Sequence, residues 1–183
     1  MGRSAPAAVG ACLIRRGDYV YAFGSQEPVK SHPMYVVRWP VDELKRGNLD
    51  AMQWWTGNET GWVADDSPLP RWPAFLNGQS ELTVHFDEVA GQYLAVHTVG
   101  FGPADLTLRS APELTGPWSG PRVFYRPSEY YRPRIMIYAG KAHPQLEGAE
   151  LVVTYATNSF DFAEVIADTL VYYPRFVRLW RCR

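Results

Sequence analysis

Apolar residues fall into short runs closed by glycine, proline or polar turns. The first set is Ala8–Ile14, Tyr19–Gly24, Tyr35–Trp39 and Met52–Thr56, with an Arg16-Gly17-Asp18 turn between its first two members. The second is Leu82–Phe86, Tyr93–Thr98, Leu106–Ala111 and Arg122–Tyr125, and the third is Met136–Ala142, Leu151–Asn158 and Phe176–Trp180. Runs of this length between turn residues predict strands. Helical spacing is confined to Val41–Arg46, after Pro40, and to Phe162–Leu170. The pattern predicts an all-β protein.

The sets resemble one another. Their third strands read YVVRW, LTLRS and FVRLW, each with an arginine near its end, at Arg38, Arg109 and Arg178. A four-stranded unit repeated along the chain is the sequence form of a propeller blade. Residues 1–183 then form a single partial propeller domain, with blades at about 8–75, 76–130 and 131–183. Propellers close with about 4–8 blades, so three leave the ring incomplete. The expectation is that further blades come from upstream sequence or from elsewhere. A single β-sandwich is the competing architecture.

Composition narrows the function more than it names it. Charges nearly balance, 18 basic against 19 acidic, which removes the basic excess of a nucleic-acid binder. No apolar run is long enough to span a membrane as a helix. The apolar stretch before Cys12 is short and contains Pro6, so Ala8–Ile14 reads as a strand and not an export signal. The two cysteines, Cys12 and Cys182, sit at opposite ends; they read as unpaired, with a ring-closing disulfide as the alternative. No CxxC or HExxH spacing and no acidic calcium loop occurs, so neither metal nor cofactor is expected. Phosphate loops and GxSxG elbows are missing too.

In order along the chain stand YVVRWPVDEL, the Trp54-Trp55-Thr56-Gly57…Gly61-Trp62 cluster, ELTVHFDE, APELTGPWSGP, YAGKAHPQL, VVTYATNS and YYPRFVRL. This ordered set, from Val9 to Leu179, resembles a family of predominantly secreted five-bladed propellers, a domain of unknown function related to propeller glycosidases of the endo-arabinanase type. The resemblance implies a five-bladed β-propeller of which this chain is the C-terminal three blades. It also implies acidic residues on the innermost strands around a channel, a polysaccharide or oligosaccharide partner, and an extracellular or periplasmic parent protein. Glycosidases of this kind use two carboxylates. An aspartate of the first blade, often one of them, would lie outside this chain.

Glu81 opens the innermost strand of the second unit and is the candidate catalytic acid or base. A strand-edge carboxylate paired to an arginine is its plainer role. Lys141 and His143 alternate on one face of the third unit's innermost strand and are candidate sugar contacts, His143 alternatively being a turn residue. Arg175 offers a planar fork of donors to hydroxyls or a carboxylate, or an intersheet salt bridge. Asn158 either binds hydroxyls or caps a turn. Among seven tryptophans, Trp62 is assigned to a sugar platform, Trp54 and Trp55 to core and Trp118 to turn packing.

Three functions are compatible with these residues. One is a glycoside hydrolase-like propeller acting on a cell-wall or other extracellular polysaccharide. Another is a non-catalytic carbohydrate-binding module. The last is an inactive fragment whose open blade edge invites aggregation.

Overall fold

The computed structural model describes residues 7–26, 31–146, 148 and 150–180. A pairing of Cys12 with Cys182 falls outside these residues. The described chain is all-β, with three separate antiparallel sheets of five, four and three strands. The first is a meander of β1 (Ala8–Arg16), β2 (Tyr19–Ser25), β3 (Met34–Pro40), β4 (Gln53–Trp55) and β5 (Trp62–Ala64). The second holds β6 (Leu82–Asp87), β7 (Gln92–Gly100), β8 (Ala104–Ala111) and β9 (Arg122–Tyr125). The third holds β10 (Ile135–Ala142), β11 (Glu150–Ser159) and β12 (Arg175–Trp180).

The uniform four-stranded unit expected from the sequence is corrected at both ends. Trp62–Ala64 pairs with β4 as a fifth strand, a three-residue segment too short to show alternation. The third sheet has three strands among the described residues. Val41–Lys45 forms α1, a helix of little more than one turn with Asp42 and Glu43 at its positive end. The second helix, α2, is Phe162–Ala167, shorter than its sequence pattern. Asp168 stops it by accepting from the Leu170 N–H at 3.0 Å and starting a separate 3-10 turn.

The chain divides into two compact units. The first runs to Ser80 and includes Glu113–Trp118. One face of its sheet buries Ala22, Val37, Trp39 and Trp54. On the other, Phe23 meets the edge of Trp118, which in turn meets Phe75. Trp54 is thus a core residue and Trp118 a packing residue, as the sequence suggests.

The second unit comprises Glu81–Pro112 and the chain from Ser119 onward. Val96, Ala104 and Leu106 pack against Ile137, Ala142, Leu151, Val153 and Tyr155. Val96, Leu106 and Val153 are completely buried, each worth about 1.5–3 kcal/mol relative to exposure. The β6–β7 turn is set by its own residues. The Asp87 carboxylate accepts from the N–H groups of Val89 and Ala90 at 3.0 and 2.8 Å, and Gly91 closes the turn at φ 64°.

Candidate functional site

The site in the second unit is built on an irregularity in β10. Tyr138 stands opposite Ala156 and Lys141 opposite Thr154, so three steps along β10 match two along β11. Ala139 takes up the extra residue at φ 54°, a left-handed conformation unusual for alanine. Gly140 lets β10 approach β7 closely, since a Cβ there would lie 3.0 Å from the Thr98 nitrogen and 3.1 Å from the His97 carbonyl carbon.

The bulge decides which side chains share a surface. Met136, Tyr138 and Lys141 lie opposite Asn158, Ala156 and Thr154, alternate residues of β11, and therefore face one way. His143 joins them, its Nε2 lying 2.8 Å from Thr154 Oγ1. Ile135, Ile137, Ala142 and Tyr155 point oppositely, into the core. Lys141, His143 and Asn158 are thus brought to one half-buried face.

Glu81 is half-buried at the residue before β6. Its charge reaches Tyr138, whose phenol also feels that of Tyr172. The Tyr138 pKa is raised, first by burial, then by Tyr172, then by Glu81. Tyr138 therefore stays a neutral hydroxyl donor at any physiological pH. Tyr172 is 60% exposed, which opens the cluster to solvent. A carboxylate within electrostatic reach of Tyr138, with an ammonium and an imidazole on the Tyr138 face, is a set of donors and acceptors suited to hydroxyl-rich ligands.

The other sequence candidates have local tasks. His143 begins a turn, accepting from the Leu146 N–H at its carbonyl, and its Nδ1 lies 3.5 Å from Gln145 Nε2. Asn158 Oδ1 accepts from the Ser159 N–H at 2.8 Å, a local cap. Arg175 lies opposite Tyr155, on the core side of the sheet and away from Lys141 and His143. Its Nε meets Glu129 at 2.6 Å, Nη1 reaches Thr157 Oγ1 and the Tyr173 carbonyl, and Nη2 reaches the Leu170 carbonyl.

Residues 4–162 match the family defined as a domain of unknown function, DUF4185. The chain belongs to that family. Notoamide biosynthesis cluster protein J of Aspergillus sp. (strain MF297-2) is 26% identical over 164 residues, 85% of this chain and 42% of that protein. A crystal structure titled as a "putative hydrolase" from Bacteroides ovatus ATCC 8483 matches with a TM-score of 0.70 at 16% identity, over 94% of this chain and 44% of that one. At that identity the likeness shows a common fold. The chain spans less than half the length of either relative.

Within this DUF4185 chain, the other carboxylates of the second unit are mostly committed elsewhere. Asp105 forms a two-point pair with Arg126, Glu129 meets Arg175, Glu150 meets Arg178, and Asp161 meets Arg134. Glu164 and Asp168 share Arg132, while Asp87 holds its turn. Among the described residues no group of three or more His, Cys, Asp and Glu could hold a metal. No described helix is long and apolar enough to cross a membrane.

Trp62 lies in the first unit, on β5, beside Trp55 (ring centroids 5.3 Å apart) and Tyr21 (5.6 Å). The Arg38 guanidinium lies 4.2 Å from the Trp62 ring centre and 4.0 Å from that of Tyr19, and its Nε donates to Gln53 Oε1 at 2.8 Å. One face of the Trp62 ring is thereby covered. Tyr138 and Tyr172 are the functional candidates that sequence reasoning missed. The signal for Tyr138 was Gly140, a lone glycine inside a strand pattern, which marks a bulge.

Proposed function

We propose that this DUF4185 chain is part of a glycoside hydrolase-like propeller, its three sheets serving as blades completed by polypeptide outside it. Its substrate would be an extracellular or cell-wall polysaccharide, arabinan being the first to try. Glu81 would act as general acid or base. Tyr138 would hold a sugar hydroxyl, and Lys141 and His143 would bind further along the same face. The observation that carries this reading is Glu81, half-buried and near enough for its charge to raise the Tyr138 pKa, in contrast to the arginine-bound carboxylates elsewhere in the unit. The description of the Bacteroides ovatus relative as a hydrolase agrees with it.

A second reading, a carbohydrate-binding module without catalysis, draws support from the same carboxylates. Hydrolysis needs a partner acid about 5–9.5 Å from Glu81. The arginine-bound acids are poor candidates for it, and the resemblance puts the usual partner, a first-blade aspartate, outside this chain.

The deciding experiment incubates the whole parent protein, with the polypeptide that completes these blades, with arabinan and xylan, following both new reducing ends and binding by calorimetry. Hydrolysis predicts product, lost at least about a thousandfold in Glu81→Gln with binding retained. A binding module predicts saturable binding without product, weakened by Tyr138→Phe or Trp62→Ala and indifferent to Glu81→Gln. Neither product nor binding on any glycan would sink both.

A further inference from the structure

The geometry points to a second binding site in this chain, a cavity at the far end of β6 that takes an organic monocarboxylate with an apolar body. It goes beyond the proposed glycan site. Glu81 precedes β6 and Asp87 ends it, so about 20 Å of strand separates the two places.

The cavity has a volume of about 680 Å³, within the usual span for a small-molecule site. It lies within the second unit, open to solvent on one side, and is lined by strands of both its sheets. Leu94, Leu108, Phe124 and Leu179 supply apolar walls. Arg109 lines it from a position 5% exposed, and Arg122 lines it from an exposed position on β9. Arg122 forms no ion pair with a described residue, so its charge is available to a ligand. The one carboxylate in the lining, Asp87, already accepts from two backbone N–H groups of its own turn. The lining carries two guanidinium groups against one carboxylate, and the walls are apolar.

That combination selects a class. A sugar would leave the leucine and phenylalanine walls unmatched, and a neutral hydrocarbon would leave the Arg122 guanidinium without an anion. An acid with a ring or branched chain satisfies both, its carboxylate at Arg122 and Arg109 and its body against the leucines. Burial pushes the Arg109 pKa down, so a nearby anion would also stabilise its charged form.

The test uses 2-naphthoate and its neutral isostere 2-naphthamide, titrated calorimetrically into the 183-residue chain. Saturable naphthoate binding, with the amide weaker by roughly tenfold or more, is the expected result. Arg122→Gln should weaken naphthoate by a similar factor, and Ser110→Phe should abolish binding by filling the cavity. No saturation at millimolar naphthoate, equal binding of the amide, or binding unchanged in Arg122→Gln would each overturn the proposal. Arg122 is exposed, so its variant keeps the test decisive even if the filled cavity prevents folding.

Discussion

Arg109 donates from Nε to Nε2 of His97 at 3.2 Å, with both side chains buried in the second unit. That bond fixes the imidazole as the neutral tautomer, with Nδ1–H donating to the Thr98 carbonyl at 2.9 Å. Burial first, with the Arg109 charge helping against the opposing Thr98 bond, lowers the His97 pKa from 6.5 to about 4. The unfolded chain therefore takes up a proton near pH 6.5 that the folded chain refuses until about pH 4. Stability is present in full above pH 6.5 and falls as pH drops through this window, by about 3 kcal/mol. Urea midpoints measured from pH 7 to pH 4 check this, and His97→Gln should flatten the slope. An unchanged slope in that variant would assign the acid sensitivity to the carboxylates.

The Glu129–Arg175 pair makes a different demand. Glu129 is 8% exposed and also accepts from the Tyr155 hydroxyl at 3.2 Å. Arg175→Met leaves that carboxylate buried without its cation, which should cost about 3 kcal/mol. Adding Glu129→Gln should recover much of the loss. A double-mutant cycle in urea measures the coupling, and simple additivity would contradict it.

The bulge in β10 predicts opposite signs for neighbouring substitutions. Ala139→Gly removes the left-handed strain at φ 54° and should leave stability unchanged or raise it by up to about 1 kcal/mol. Gly140→Ala forces a methyl against the backbone of His97 and Thr98 and should cost about 1–3 kcal/mol. Thermal denaturation of the two variants side by side reads the contrast.

Arg38 lies between Tyr19 and Trp62, with its charge stacked on both rings. Arg38→Lys keeps the charge and loses the planar stack, so a loss of about 0.5–1 kcal/mol is expected. Uncovering Trp62 should also shift tryptophan emission to the red. If that face is the sugar platform, the same variant should tighten glycan binding or leave it unchanged, which calorimetry on xylan and arabinan would show.

Strands and turns were legible because each run carried its own punctuation. Leu82–Phe86 and Tyr93–Thr98 lie within β6 and β7, and Arg122–Tyr125 is β9 itself. Side-chain roles were less legible. Arg38, Arg109 and Arg178 occupy like places in three similar strands, yet one stacks on rings, one is buried against a histidine and one pairs with Glu150 at the surface. Strand pattern gives the face a residue occupies, whereas its partner comes from elements distant in the sequence. Lys141 and His143 were placed together by counting along β10, while Tyr138 joins them only because the count is interrupted. Arg175 was grouped with these two although its register against Tyr155 sends it to the core.

That interruption works as a phase shifter in the reading of β10. Remove one residue at Ala139 or Gly140 and two steps along β10 match two along β11, so strict alternation returns with Lys141 still opposite Thr154. Lys141 and His143 would keep their face, and Ala142 its place among Leu151 and Val153. The extra residue is thus slack in the strand. A single-codon deletion here takes it up without turning any side chain over, whereas the same deletion at Ala142 would send His143 inward.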